Sequence, residues 1–299
     1  MNIAMNRSAH PLRKDVASIL IGAVFISFSG NWVVWAQVDA MTSAFYRVCF
    51  GFIFLAVACA ARKQLRPLSR RAAGCCLLTG LFFAGDLYCW HISIRYVGPG
   101  LATILGNFQV FVLTVVSLLC FGQPVRRLFL VSLPLAFFGL FLIVGIDWGS
   151  LSDQYRMGIG FGLLTALFYT GFILSLRRFQ QANPELSFIY VLMLTSIATS
   201  LVLAPLMLAS GVSFAIPTYR SMAALAGLAL FSQTIGWSCI TRSLPKLIPS
   251  VAGLILLLQP SLAFIWDVLL FGRDTSVLQW LGVAIVITAI YMGLRSTRR

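Results

Sequence analysis

The sequence predicts an all-α integral membrane protein of ten transmembrane helices in two inverted five-helix repeats, with both termini cytoplasmic. Three observations carry this. The chain is 60% hydrophobic and only 10% charged, where a soluble protein carries about 25% charge. Its apolar residues fall into about ten blocks, each near the roughly 20 residues that cross a bilayer. Finally, Pro99 to Gly122 (PGLATILGNFQVFVLTVVSLLCFG) aligns without a gap on Pro249 to Gly272 (PSVAGLILLLQPSLAFIWDVLLFG), 150 positions later. The alignment sets Pro99 on Pro249, Ala102 on Ala252 and Gln109 on Gln259. Apolar text repeats by accident, but a mid-span amide must find a partner in hydrocarbon. Two such amides at equivalent places point to a duplicated fold with something polar between its halves.

Residues 1–15 read as a short cytoplasmic tail with Arg7, Arg13 and Lys14. Val16 to Ala36 is the first span; it is too long for the apolar region of a typical signal peptide. Met41 to Ala61 is the second, and a basic loop from Arg62 to Arg71 follows. The third runs from Ala72 to Ile94. After a break at Gly98-Pro99-Gly100, Gly100 to Phe121 and Leu128 to Ile146 complete a first repeat over residues 16–146. Asp147 to Arg156 is the most polar connection. The second repeat, residues 157–295, holds Met157 to Leu176, Leu186 to Ala209, Ser221 to Ser243, Leu247 to Phe271 and Val277 to Leu294. Five helices is an odd number, so the second repeat enters the membrane inverted, and inverted repeats place a solute site near the midplane between them.

Charge placement agrees. Of 22 basic residues, 17 fall in the tails and in the loops on the side of the termini. Only Arg95, Arg156, Arg220 and Arg273 fall on the other side, and Arg47 lies inside the second span. The positive-inside rule then puts both termini in the cytoplasm. The net charge of +14 would suit nucleic acid in a soluble chain. Here the basic residues form short interhelical clusters with no arm or stripe, which argues against it. The seven cysteines sit within apolar blocks and read as small buried thiols.

The intramembrane polar residues are the candidates for function. Arg47 and Asp86 each lie 15 residues from the basic loop joining the second and third spans. They therefore share one depth, roughly 22 Å up at 1.5 Å per residue. They are expected to pair, directly or through water, as a structural fixture or as part of a transport cavity. Asp86, Trp90 and Ser93 share one face of the third span. His91, on another face, is the lone intramembrane histidine and a proton-coupling candidate; a hydrogen-bonded structural role is the alternative. No second histidine or acid stands at zinc-ligand spacing, so no metal or cofactor is expected. Thr103, Asn107, Thr114 and Ser117 form one stripe of the fourth span. Gln109 lies about 200° round from Asn107, so one cavity receives both only if the helix bends. Gln233, Trp237 and Thr241 share a face of the eighth span. Asn31, Trp32 and Trp35 add an amide and two rings on the first, and Tyr169 sits in the middle of the sixth. Pro260, directly after Gln259, is expected to kink the ninth.

These features resemble the EamA type of the drug/metabolite transporter superfamily. The five-plus-five helices with basic inner loops match it, as does the arginine of FYRVCFGFIFL. So does the run HISIRYVGPGLATILGNFQVFVLTVVSLLCFGQ and its counterpart ending in LQPSLAFIWDVLLFGR. Both runs commonly end in Gly-Glu in that family, whereas here they read Gly122-Gln123 and Gly272-Arg273; no role for that glutamate carries over. The resemblance implies a secondary transporter of a bacterial inner membrane that moves small metabolites such as amino acids, often outward, by alternating access. Protons or a counter-solute are implied as coupled partners. The residues themselves name Asn31, Trp90, Gln109, Gln233, Trp237 and Gln259 as solute-contacting candidates, and Arg47, Asp86 and His91 as the coupling or ion-pair group. An integral-membrane enzyme acting on lipid or acyl substrates is the main rival. It would need a base, nucleophile or metal at the membrane face, and no clustered acids or nucleotide loop appear. A channel is the other.

Overall fold

The computed structural model describes residues 9–120, 126–144, 152–272 and 274–296. Gly122 lies within the described chain's gap, and Gln123, Arg273 and the tail before residue 9 likewise fall outside the described residues. Every regular element among the described residues is helical. Among the described residues nine helices are long and apolar enough to cross a membrane, and a shorter apolar one, Arg127–Ile143, stands where the tenth is expected.

The first span is α1 (Ala9–Ser27) and α2 (Ser29–Ala36), broken at Phe28. The helix thus starts seven residues earlier than the apolar block. The second span is α3 (Ala40–Ala61). The element α4 (Arg70–Asn107) holds the third span and the start of the fourth, which α5 (Gln109–Leu119) continues. The fifth is α6 (Arg127–Val144), the sixth α7 (Asp153–Ala182) and the seventh α8 (Phe188–Ala209). The eighth is composite: α9 (Tyr219–Gly227), a π-helical segment (Leu228–Gly236), and α10 (Trp237–Ser243) with a closing 3-10 turn. The ninth is α11 (Pro249–Leu256) and α12 (Leu258–Phe271), and the tenth α13 (Val277–Ser296).

Short polar side chains set where these helices start. Asp39, Ser69, Ser152, Ser187 and Thr218 each accept a hydrogen bond from a backbone N–H in the first turn that follows, an N-cap that satisfies an orphan donor. Outward faces carry exposed Val57, Leu119, Leu201 and Leu269, an apolar belt that only lipid accommodates.

The chain reverses within α4, at the expected Gly98-Pro99-Gly100 region, although helical backbone continues through it. The contacts of α7 show the reversal. A Cβ on Gly158 would meet Tyr96 and Val97, one on Gly162 would meet Ser93 and Leu105, and Gly106 faces Thr165 and Trp90. Phe168 covers Gly85, and Phe82 covers Gly171. Along α7 the third span is therefore read backwards and the fourth forwards.

The packing has the internal symmetry of a duplication. The third and fourth spans pack on the sixth, and their counterparts, the eighth and ninth, pack on the first. The third packs on the seventh as the eighth packs on the second. The remaining major pairs, second with seventh, fourth with ninth and fifth with tenth, exchange into themselves. Glycines allow close approach at several of these crossings: Gly22 on Gly236, Gly139 on Gly282, and Gly253 on Val110 and Leu113. The start of the first span and the end of the tenth approach the same stretch of chain. Asp15 accepts from Lys246 Nζ at 3.0 Å, and Gly293 packs on Leu254, a few residues further along.

Candidate functional site

The site lies where the two repeats face each other in the middle of the spans. From the first repeat, α3 presents Ser43, Arg47 and Gly51 on one face, four residues apart. Arg47 is buried, and its Nε donates to Gln233 Oε1 of the π segment at 3.3 Å. Gln233 Nε2 donates in turn to Ser196 Oγ of α8 at 3.1 Å. The approach is possible because residue 51 is glycine: a Cβ there would stand 2.5 Å from Gln233 Cγ.

Asp86 on α4 is also buried, and Arg47 and Tyr169 lie within electrostatic reach of it. It takes no part in the three ion pairs within 4.0 Å among the described residues, which join Arg95 to Asp39, Arg156 to Asp153 and Lys246 to Asp15. The expected pairing of Arg47 with Asp86 is thus a proximity without direct contact, and the guanidinium spends its hydrogen bond on Gln233.

On the other side of the cluster, the Tyr169 hydroxyl of α7 lies beside the Gln259 side chain of α12. The neighbouring Thr170 Oγ1 reaches the backbone carbonyl of Gln109 at 3.4 Å. The two equivalent glutamines therefore converge on one turn of α7. Trp237 closes the floor with its ring centroid 4.9 Å from Phe172, 5.8 Å from Phe83 and 6.3 Å from Tyr169.

Several polar atoms here are buried without a protein partner: both side-chain heteroatoms of Gln109, Gln259 Nε2, Trp237 Nε1 and Ser43 Oγ. Leaving one such group unpaired costs about 1–3 kcal/mol. Five such atoms in neighbouring elements concentrate unmet hydrogen-bonding capacity between the repeats.

Both glutamines follow a bend. At Phe108 the backbone has φ −57° and ψ −14°, and at Leu257 φ −62° and ψ −12°. Each bend tightens into an i−3 hydrogen bond, from Phe108 N to Leu105 O at 3.0 Å and from Leu257 N to Leu254 O at 3.2 Å. The bend at Phe108 falls between Asn107 and Gln109, the two amides that a straight helix would point apart.

The other candidates sit elsewhere. His91 is buried with Nδ1 on the Leu87 carbonyl of its own helix. Trp90 lies edge-on to His91 and beside Gly106, between the limbs of the α4 reversal. Asn31 is buried on α2 with Nδ2 unpartnered. It adjoins an aromatic cluster in which Trp32 stacks on Phe231 and Phe28 meets Trp32, Trp35 and Trp266. Among the described residues, no hydrogen bond or ring contact joins Asn31 or Trp90 to the Arg47–Gln233 cluster. Thr114 donates to the carbonyl four residues back, and Asn107 Nδ2 does the same. An apolar groove of about 380 Å³ between α5 and α7, lined by Phe108, Phe111 and Leu167 among others, opens on the lipid-facing side and holds none of this chemistry.

Sequence reasoning missed Ser196 and Gly51. The signal for Ser196 was present in Thr195-Ser196 and Thr199-Ser200, hydroxyls at helical spacing within an otherwise apolar span. That for Gly51 was a glycine one turn beyond an intramembrane arginine.

Comparisons with known proteins agree with this architecture. A solved crystal structure superposes with a TM-score of 0.78 at 15% identity, covering 95% of this chain and 99% of that one; at such identity the likeness is one of fold. No curated protein matches the sequence. The EamA-like transporter family matches twice, over residues 14–145 and 156–295. With both helical repeats matched, the chain is a multi-pass membrane protein and belongs to the EamA-like transporter family.

Proposed function

We propose that the chain is a secondary transporter that carries small metabolites such as amino acids, outward across a bacterial inner membrane, by alternating access. The observation that carries this reading is the buried polar cluster of Arg47, Asp86, Tyr169, Gln233 and Gln259 between the repeats. A charge or amide at that depth is costly and marks a solute or ion pathway. Gln109, Gln259 and Trp237 offer unpaired donors and acceptors to the solute, and the ring of Trp237 gives it an apolar wall. Asp86 is the group through which proton exchange is coupled; His91, committed to its own helix, is not. Asn31 and Trp90 meet the solute on its way to or from the site. The charge bias of the loops supports cytoplasmic termini.

Counterflow in proteoliposomes with a panel of amino acids, purines and amphipathic cations tests the proposal. Saturable exchange of one class, lost in Gln259→Leu, is expected. No exchange by folded protein with any of them overturns it.

A further inference from the structure

The two central charges are unequally held. The Arg47 guanidinium is tied through Gln233 to Ser196. Asp86, only 9% exposed, takes part in no hydrogen bond and no ion pair within 4.0 Å among the described residues. Opposite charges within reach of each other in a medium of low dielectric attract strongly, and an arginine side chain is long enough to swing. Something must hold it off the carboxylate.

Gln233 is placed to do so. Its carbonyl end takes the guanidinium while its amide end is anchored on Ser196, so the side chain is fixed at both ends. The missing Cβ of Gly51 makes room for its stem. The π segment sets its direction. There the backbone widens into the π-helix Leu228–Gly236, within which Thr234 Oγ1 donates five residues back to Ala229 O at 2.9 Å. Such widened turns re-aim side chains and recur at functional sites. Neither the glycine nor the widened turn improves helix stability, so both are explained by the placement of this one amide.

We propose that Gln233 is a positioning residue that holds Arg47 away from Asp86 and so leaves the Asp86 carboxylate open to a positively charged group of the carried solute. The proposal rests on the reading of this cluster as the transport site. A carboxylate buried without a partner is a costly state, and an ammonium or guanidinium group of the solute relieves it. The aromatic faces of Tyr169, Phe172 and Trp237 nearby favour the same sign of charge. Without Gln233, Arg47 closes on Asp86 and competes with the solute.

The test reads Asp86 directly, without transport. The full chain in lipid nanodiscs is treated with dicyclohexylcarbodiimide, which modifies carboxyl groups inside membranes, and peptides are mapped by mass spectrometry. Asp86 is expected to react in the parent protein. Phenylethylammonium should protect it, whereas phenylacetate and phenylacetamide should not. In Gln233→Leu the reaction should fall about tenfold as Arg47 pairs with the carboxylate. It should return in the double variant Arg47→Gln, Gln233→Leu, and persist in Gln233→Glu, which keeps the arginine occupied. A merely structural role for Gln233 predicts no rescue by removal of Arg47. An unreactive Asp86 in the parent, unchanged reaction in Gln233→Leu, or no rescue would overturn the positioning role. Protection by the anion or the amide, or none by the amine, would overturn the cationic assignment. Counterflow on the same preparations separates the two readings: exchange lost with the labelling pattern intact strikes the transport proposal alone.

Discussion

At the scale of residues, two titratable side chains of one helix differ in what their surroundings allow. His91 turns its Nδ1 to the Leu87 carbonyl and is thereby used within its own backbone. Asp86 is also buried, with Arg47 and Tyr169 in electrostatic reach, and among the described residues its carboxylate makes no ion pair within 4.0 Å. If the exchanged proton sits on Asp86, the rate of solute exchange varies with pH because the carboxylate must lose and regain it. Asp86→Asn should then give a flat pH profile, and His91→Gln should keep the parent profile even where it lowers the amplitude. Counterflow across a pH series checks this; a pH profile that survives in Asp86→Asn rejects the assignment. The depth of both residues was readable from their distance to the basic loop. The partner of Arg47 was not. Depth counts residues along one helix, whereas the bond to Gln233 depends on how a distant π turn in the other repeat points its side chain. No local pattern encodes that.

At the scale of elements, the same bend is produced by different chemistry in the two repeats. Pro260 has no N–H to offer the carbonyl of Leu256, and its ring crowds that carbonyl; the helix tightens at Leu257 instead. At the equivalent bend of the first repeat, around Phe108, no proline is present. There Asn107 Nδ2 takes the Thr103 carbonyl at 2.8 Å, and such side-chain bonding competes with the helix ladder. Hence the proline kink was legible in sequence, the bend at Phe108 only as the condition under which one cavity receives both Asn107 and Gln109, and the break at Phe28 not at all. The ten apolar blocks, by contrast, were legible because bilayer thickness dictates their length. The duplicated bends make a prediction. Pro260→Ala restores a backbone donor and removes a penalty of about 3 kcal/mol, so the thermal midpoint should rise. The straightened helix should carry Gln259 away from Tyr169, so the exchange rate should fall. Tryptophan fluorescence melts and counterflow on one preparation measure both. If stability and exchange increase together, the bend serves no function.

At the scale of the whole molecule, the proposed alternating access requires contacts that close each side, and the two sides here differ in strength. On the side of the termini, Asp15 is buried and accepts from Ser243 Oγ and Lys246 Nζ, each at 3.0 Å, tying α1 to the end of the eighth span. On the opposite side, Asp39 and Arg95 approach to 3.7 Å with side chains 39% and 71% exposed. Water screens the second pair, and such contacts contribute about 0–1 kcal/mol. The first joins a largely buried carboxylate to a Lys246 side chain that is 52% exposed, and removing the carboxylate from both of its hydrogen bonds costs about 1–3 kcal/mol. The side of the termini is therefore the more firmly tied, and untying it should move the population towards opening there. Cys239 reports on it, being half-buried on α10 with its carbonyl bonded by Ser18 Oγ at 2.7 Å. In Asp15→Ala, labelling of Cys239 by a membrane-impermeant maleimide from that side should rise about tenfold, the factor that such a loss supplies. In Asp39→Asn it should stay within about twofold of the parent. The inequality is the point of the measurement. Equal responses would mean that burial does not set which side is held, and a larger response in Asp39→Asn would place the stronger closure on the opposite face.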